Sequence, residues 1–410
     1  MTKNNWEIKK LGEVLTIERG GSPRPIKKYL TNSFDGINWI KISDATASEK
    51  YIYETKEKIT RDGLHKTRVV NDGDFILSNS MSFGRPYIMK TTGCIHDGWL
   101  VLKQNGKKIF ETEFLYYLLS SPYVFQQFNY LAAGSTVRNL NIALVSSVEV
   151  PIPPLPEQKH IVNILDKAFT AIDKANANAE QNLQNSSELF DSYLNKVFAN
   201  PGEDWEEKKL GEVCEFVRGP FGGSLKKNIF KKDGYAVYEQ QHAIYDQFEN
   251  IRYFIDDKKF NEMRRFELNT GDLIMSCSGT MGKMAIVPEN IKRGIINQAL
   301  LKLAPSKIIV VAFLKLWMQS ESFQESLKAY SQGAAIQNVA SVKILKEIAM
   351  PVPSIKEQQT IVQQLDALLA ETKKLESTYQ KKIDDLEELK KSILQKAFNG
   401  ELKTTKAAVV

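Results

Sequence analysis

The side chains that could carry covalent or metal chemistry are few here, and they assemble into no known pattern. Three cysteines (Cys94, Cys214 and Cys277) lie far apart and form no Cys-x-x-Cys pair. That argues against a disulfide framework and against a structural zinc site. Four histidines (His65, His96, His160 and His242) show no metal-ligand spacing. A nucleotide-phosphate loop needs Gly-x-x-x-x-Gly-Lys followed by Ser or Thr. The nearest approach, Cys277-Ser278-Gly279-Thr280-Met281-Gly282-Lys283-Met284, lacks the first Gly and the closing hydroxyl residue. Glu-x-Lys triplets occur at Glu54-Thr55-Lys56 and Glu371-Thr372-Lys373, without a preceding Pro-Asp; a chain with 25% charged residues produces them freely. No Gly-x-Ser-x-Gly, His-Glu-x-x-His or Asn/Asp-Pro-Pro-aromatic segment is present. Arg19-Gly20-Gly21-Ser22 and Arg218-Gly219-Pro220-Phe221-Gly222-Gly223 are glycine-rich, but no Gly-x-Gly-x-x-Gly opens a helix after them. They read as flexible surface loops. No set of residues pairs a nucleophile with its base. The expectation is a chain that binds rather than catalyses.

The elements that position these residues come in two copies. Trp6-Glu7-Ile8-Lys9-Lys10-Leu11-Gly12-Glu13-Val14 recurs 199 positions later as Trp205-Glu206-Glu207-Lys208-Lys209-Leu210-Gly211-Glu212-Val213. Gly73-Asp74-Phe75-Ile76-Leu77-Ser78 recurs as Gly271-Asp272-Leu273-Ile274-Met275-Ser276. Gly134-Ser135-Thr136-Val137-Arg138-Asn139-Leu140 recurs as Gly333-Ala334-Ala335-Ile336-Gln337-Asn338-Val339. Pro151-Ile152-Pro153 with Glu157-Gln158 recurs as Pro351-Val352-Pro353 with Glu357-Gln358. An ordered series at a near-constant offset means one fold, duplicated. Between the matched blocks, roughly 20–70 and 219–268 share little, as expected of one scaffold carrying two different binding surfaces.

Each half begins with about 150 residues of mixed pattern. Asn71-Asp72-Gly73 before Phe75-Ile76-Leu77, and Asn269-Thr270-Gly271 before Leu273-Ile274-Met275, read as turn then strand. Phe114–Leu119 and Phe313–Met318 read as short amphipathic helices. The proline-rich Pro151–Pro156 cannot continue a sheet ladder and closes the domain. A helical seam follows, with Ile161, Leu165, Ala168, Ile172, Ala175, Ala179, Leu183, Phe190, Leu194 and Val197 at threes and fours. Ile361, Leu365, Leu368, Leu375, Tyr379, Ile383, Leu386, Leu389, Ile393 and Ala397 repeat it, and Asn399-Gly400 supplies a stop. The expected fold is α+β. Two tandem mixed domains (1–154 and 201–354) are each followed by a long helix (155–200 and 355–400), with a tail at 401–410. The helices are expected to pair as an antiparallel coiled coil within the chain, with pairing between chains as the alternative.

The bulk numbers are compatible with this. The chain has 410 residues, 42% of them hydrophobic, and a net charge of +6. That charge permits a polyanionic partner without demanding one. No apolar run approaches the ~18 residues of a membrane span. Met1-Thr2-Lys3-Asn4-Asn5-Trp6 lacks the apolar core of a signal peptide, so a cytoplasmic location is expected.

Together, four features resemble the specificity subunit of type I restriction-modification systems: the Trp-x-x-x-x-Leu-Gly-Glu-Val opening, the Gly-Asp-φ-φ-φ-Ser block, the Gly-Ser-Thr-Val-Arg-Asn-Leu loop, and Pro-φ-Pro with Glu-Gln before the long helix. The second half departs from the pattern at Gly333–Asn338, which lacks the Ser-Thr and the Arg. The resemblance implies two target-recognition domains that read the two halves of a split, asymmetric double-stranded DNA target. It also implies a helix pair that docks two methyltransferase subunits, with motor-nuclease subunits joining for cleavage. S-adenosylmethionine, ATP and Mg²⁺ would belong to those partners. A stand-alone methyltransferase or nuclease, and a coiled-coil scaffold that binds only proteins, are the competing readings.

Under that resemblance, base readout calls for Arg, Lys, Asn, Gln, Ser or Thr on loops, and phosphate contacts call for Arg or Lys. The candidates are Arg24, Asn79, Ser82, Arg85 and Arg138 in the first half. In the second they are Arg218, Lys226, Lys227, Thr280, Lys283 and Gln337. The loops holding Ser82 with Arg85 and Thr280 with Lys283 are favoured, because both keep a glycine and a cation at equivalent positions. A glycine turn with one exposed cation is the plainer alternative. Tyr87 and Trp99 are expected to be core residues.

Overall fold

The computed structural model describes residues 6–48, 50–79, 83–104, 106, 108–132, 139–221, 223–329 and 341–402. The chain divides into two units. Unit 1 holds residues 1–179 and 381–410, and unit 2 is the contiguous stretch 180–380. Among the described residues, no helix is long and apolar enough to cross a membrane.

Unit 1 is built around a sheet with strand order Leu15–Arg19, Trp99–Gln104, Phe75–Ser78, Pro86–Met89, Tyr51–Ile52. Its strands are apolar on both faces, so period-two alternation sorts their side chains into two cores. Phe75, Leu77, Ile88, Leu100 and Leu102 join Phe110, Phe114, Leu118 and Phe128 on one face. Ile76, Tyr87, Met89, Trp99 and Val101 join Ile40 and Ile95 on the other. The second face packs against a smaller sheet of order Leu30–Thr31, Glu57–Ile59, Ile37–Ile40, Gly93–Ile95, Arg68–Val70, in which Ile37–Ile40 and Gly93–Ile95 are parallel. Tyr87 and Trp99 are core residues, edge to face at 5.8 Å.

Unit 2 repeats this plan with fewer strands. Its main sheet runs Cys214–Arg218, Leu300–Pro305, Leu273–Ser276, Met284–Ile286. Its smaller sheet runs Tyr253–Ile255, Tyr235–Tyr238, Gly294–Ile296. The parallel pair is kept, Tyr235–Tyr238 beside Gly294–Ile296.

The long helices are Leu155–Ala199 and Ile355–Phe398. Each starts in one unit and ends in the other. In unit 1, Ile161 and Leu165 share a core with Ala397 and Phe398, and Lys390 pairs with Asp173, so the two helices run antiparallel. In unit 2, Ile361 and Leu365 share a core with Leu194 and Phe198, again antiparallel. The seats match: Phe398 lies edge to face on Phe114 and Phe198 on Phe313, both at 5.4 Å. The second helix closes as its Asn-Gly stop implies, with Gly400 at φ +72° and Glu401 N–H donating to the Lys396 carbonyl at 2.9 Å.

Candidate nucleic-acid interface

The residues matched between the halves turn out to be fittings of the scaffold. The opening strand Glu7–Lys10 pairs with Glu149–Ile152, and Glu206–Lys209 with Ala349–Val352. Leu11 and Leu210 are fully buried. Glu13 and Glu212 accept the Lys10 and Lys209 backbone N–H. A Cβ on Gly12 would fall 2.7 Å from the Ser146 Cβ, and one on Gly211 2.9 Å from that of Lys346, which explains the Leu-Gly-Glu triplet. Asp74 and Asp272 accept the N–H of residues 71 and 269, and Gly73 and Gly271 take φ of +87° and +83°. The Glu-Gln pair is explained by its glutamine. Gln158, fully buried, donates to the Ile109 and Pro153 carbonyls at 2.9 Å and accepts from the Glu111 N–H at 2.8 Å. Gln358 does the same with Ile308, Pro353 and Val310. Each glutamine latches a long helix to its domain, a role that motif reading alone did not reveal.

The glycine-rich loops require a correction. They were read as flexible surface loops, but both are pinned. Gly20 N–H donates to the Trp99 carbonyl and Gly219 N–H to the Leu300 carbonyl, each at 2.9 Å. A Cβ on Gly20 would lie 2.1 Å from the His96 carbonyl oxygen, and one on Gly219 1.8 Å from that of Asn297. Glycine is needed for close approach of two backbones, not for freedom.

Asn79 also requires a correction as a DNA-contacting candidate. It is 1% exposed, and its side chain donates to the Asp97 carbonyl at 2.8 Å. It holds the back of a loop and presents nothing to a ligand. Ser82, Arg138 and Gln337 lie outside the described residues. Arg85 is exposed beside the Tyr87 ring at 5.3 Å, and Thr280 and Lys283 are exposed. Their loops turn at Gly84 and Gly282, at φ +73° and +75°, against Phe128 and Leu327 of the small helices. Ser78 and Ser276 pin them through the N–H of Arg85 and Lys283.

Of the remaining candidates, Arg24 and Arg218 line two grooves in equivalent places, whereas Lys226 and Lys227 line neither. In each unit the groove lies beside the pinned loop, next to the turn leaving the second parallel strand. The groove of unit 1 is apolar and open, about 1250 Å³, with Ile26, Trp39, Ile42 and His96 in its lining and Arg24, Lys27 and Lys41 among its cations. Asp97 organises its wall. The Asp97 carboxylate accepts from Ser22 Oγ at 2.6 Å and pairs with Arg24 at 3.5 Å, while its carbonyl accepts from Arg19 Nε at 3.0 Å. The Ser22 hydrogen bond holds the Asp97 carboxyl below the usual range, against the effect of its partial burial. His96 Nδ1 accepts the Gly98 N–H at 2.9 Å, and burial lowers the imidazole pKa.

The groove of unit 2, about 700 Å³, has Arg218, Phe221, Ser224, Arg265, Phe266 and Gln298 in its lining, together with Lys259 paired to Glu262 at 3.1 Å. Strand register places Asn297 where unit 1 has His96, and Asn297 Oδ1 accepts the Ala299 N–H at 3.0 Å as His96 accepts that of Gly98. Gln298 then stands where unit 1 has Asp97. Among the described residues, Arg218 and Arg265 have no carboxylate within ion-pair distance, nor do exposed Lys226 and Lys227 beyond Ser224. No cluster of groups able to hold a metal ion occurs among the described residues.

Charge separates these regions from the helices. Residues 20–70 carry ten Lys or Arg against six Asp or Glu, and 219–268 carry nine against eight. The two long helices together carry twelve Lys against fourteen acidic residues. Cations therefore concentrate in the unmatched segments, whereas the helices would repel a phosphate backbone slightly.

A fold with two pinned grooves on duplicated scaffolds, rimmed by cations and joined by acidic helices, is that of a binding subunit. The model of the type I restriction modification DNA specificity domain matches twice, over residues 3–184 and 202–385, and the chain belongs to that family. It is similar to the type I restriction enzyme EcoBI specificity subunit of Escherichia coli, 27% identical over 318 residues, covering 72% of this chain and 66% of that protein. It is also similar to the MjaVIII specificity subunit of Methanocaldococcus jannaschii, 22% identical and covering 97% of this chain and 93% of that one. Two solved structures share the fold at 20% identity, each over 98% of this chain. One is from work on complex assembly and conformational transition of the type I R-M system (TM-score 0.76, all of that chain covered). The other is the HsdS subunit from Thermoanaerobacter tengcongensis (TM-score 0.66, 98% covered).

Proposed function

We propose that the two units read the two parts of a split DNA target, each through its groove. The observation that carries this is the partition of the chain. Matched residues build and latch the scaffold, while the unmatched segments supply most of the groove walls and cations, completed by His96 in unit 1 and by Arg218 and Gln298 in unit 2. In unit 1 the reading residues are Arg24, Lys27 and Lys41 around the apolar floor; in unit 2 they are Arg218, Arg265 and Gln298, with Lys226 and Lys227 on phosphates. Arg pairs well with guanine and Gln with adenine in the major groove. The unlike grooves favour an asymmetric target. Arg85, Thr280 and Lys283 are assigned secondary, backbone-contacting roles.

The chain works without catalysing a reaction itself, a reading supported by the lack of any nucleophile–base set in its sequence. Methyl transfer and cleavage fall to methyltransferase and motor-nuclease partners, which bring S-adenosylmethionine, ATP and Mg²⁺. The long helices, poor in net positive charge, are the surface for those partners and set the number of unread base pairs. A DNA partner fits a cytoplasmic location. Selection of bound duplexes from a random library, at two salt concentrations, tests the reading. Enrichment of a split motif supports it; salt-sensitive binding with no motif overturns it.

A further inference from the structure

We infer that Phe221 is an aromatic probe that inserts against a base step of the half-site read by unit 2. The inference rests on the DNA reading above and names a residue for it. Phe221 is 92% exposed, yet its backbone is held in place. Gly219 is locked to the Leu300 carbonyl and packed on Asn297, Pro220 is buried with its φ fixed by the ring, and the Phe221 carbonyl accepts the Ser224 N–H at 2.8 Å. A large apolar side chain held out in water by a rigid base is disfavoured in the free protein, and a partner surface compensates for it.

The surroundings identify the partner. Phe221 lines the same groove as Arg218, Arg265, Gln298 and a Lys259–Glu262 ion pair, so two arginines give its rim a net positive charge, with Lys226 and Lys227 a few residues along the chain. A cation-rimmed groove repels a basic or purely apolar partner and attracts a polyanion that also offers flat π faces, which describes stacked bases on a phosphate backbone. Exposure alone does not carry the inference. Phe34 is 98% exposed, on the turn before Ile37–Ile40, and lines neither groove. The position equivalent to Phe221 in unit 1 is Ser22, which is tied down by Asp97. The probe therefore belongs to one half-site only.

The test uses the full chain and a duplex carrying the motif that wild-type protein selects from a random library. 2-Aminopurine is placed in turn at positions of each half-site. The expected results are four. Phe221→Ala weakens binding about tenfold. Phe221→Trp restores it. The 2-aminopurine signal rises at one step of the unit 2 half-site with wild type and not with Phe221→Ala. The melting temperature and the salt dependence of binding are unchanged by Phe221→Ala, whereas Lys226→Ala, at a phosphate contact, reduces the salt slope by about one. Unaltered affinity of Phe221→Ala, with no position-specific 2-aminopurine signal, overturns the inference and leaves the DNA reading intact. Failure of wild type to select any motif overturns the DNA reading itself, and this inference with it.

Discussion

Units 1 and 2 solve one folding problem and then diverge at one edge and one turn. In unit 1 the strand Tyr51–Ile52 lies parallel to Pro86–Met89 and covers the edge of the main sheet, where Ile88 and Lys90 N–H donate to it. In unit 2 the sheet ends at Met284–Ile286, and the position equivalent to Lys90 is Pro288. One unit pairs its edge and the other removes a donor from it, two accepted ways of protecting an exposed ladder. At the turn, Asp97 organises Ser22, Arg24 and Arg19, while Gln298 leaves Arg218 and Phe221 uncommitted. The difference teaches that the duplicated residues fix where a groove forms, and that one or two residues at the turn decide its chemistry.

That comparison can be broken most directly at the shared seats. Phe398→Ala in unit 1 and Phe198→Ala in unit 2 are expected to cost about 3–5 kcal/mol each, because both rings are buried against a second phenylalanine. Chemical denaturation followed by tryptophan fluorescence should show equal losses; markedly unequal ones would mean that the units are not equivalently built. Next come the latches. Gln158→Ala and Gln358→Ala each strand one N–H and two carbonyls, for about 3 kcal/mol. Hydrogen exchange should locate the loss at residues 109–111 or 308–310, respectively.

Smaller effects sharpen the contrast at the turn. Ser22→Ala removes the hydrogen bond that lowers the Asp97 pKa, so NMR titration should find that pKa raised, with less than about 1 kcal/mol lost. His96 gives a pH effect at the turn of unit 1 that Asn297 does not give at the turn of unit 2. Its Nδ1 accepts a hydrogen bond from the Gly98 N–H, so the ring must stay neutral there, and burial lowers its folded pKa from the ordinary 6.5. Its contribution is present above the unfolded pKa and is lost as pH falls through the folded one. His96→Asn copies the arrangement at Asn297, so the pH profile of its melting temperature should flatten below about pH 6.5. An unchanged profile would show that the ring does not act as that acceptor.

Much of the scaffold was legible because it obeys periodic rules. Threes and fours marked both long helices, and a turn followed by an apolar run marked Phe75–Ser78 and Leu273–Ser276. The smaller sheets were not legible. Their strands are two to four residues long, lie mostly in the unmatched segments, and pair across gaps as wide as that between Ile37–Ile40 and Gly93–Ile95. Gly20 and Gly219 misled because glycine signals freedom and close approach alike, and the backbone they touch is some eighty residues away. Asn79 misled because an amide after a strand looks like a surface residue until its partner, the Asp97 carbonyl, is known. Arg218 stands out in the sequence by type and position, whereas Phe221, which lines the same groove, does not, since a phenylalanine in a loop carries no periodic signal.

The return of residues 381–398 to unit 1 bears on the order of synthesis. Unit 2 is one uninterrupted stretch, complete once residue 380 has emerged, whereas unit 1 begins first and lacks Phe398 until the whole of unit 2 has been made. A ribosome making about 5–20 residues per second leaves the seat at Phe114 open for some ten seconds or more. The half of the protein born first is the half that finishes last, and through that interval its empty seat is a natural client for a chaperone.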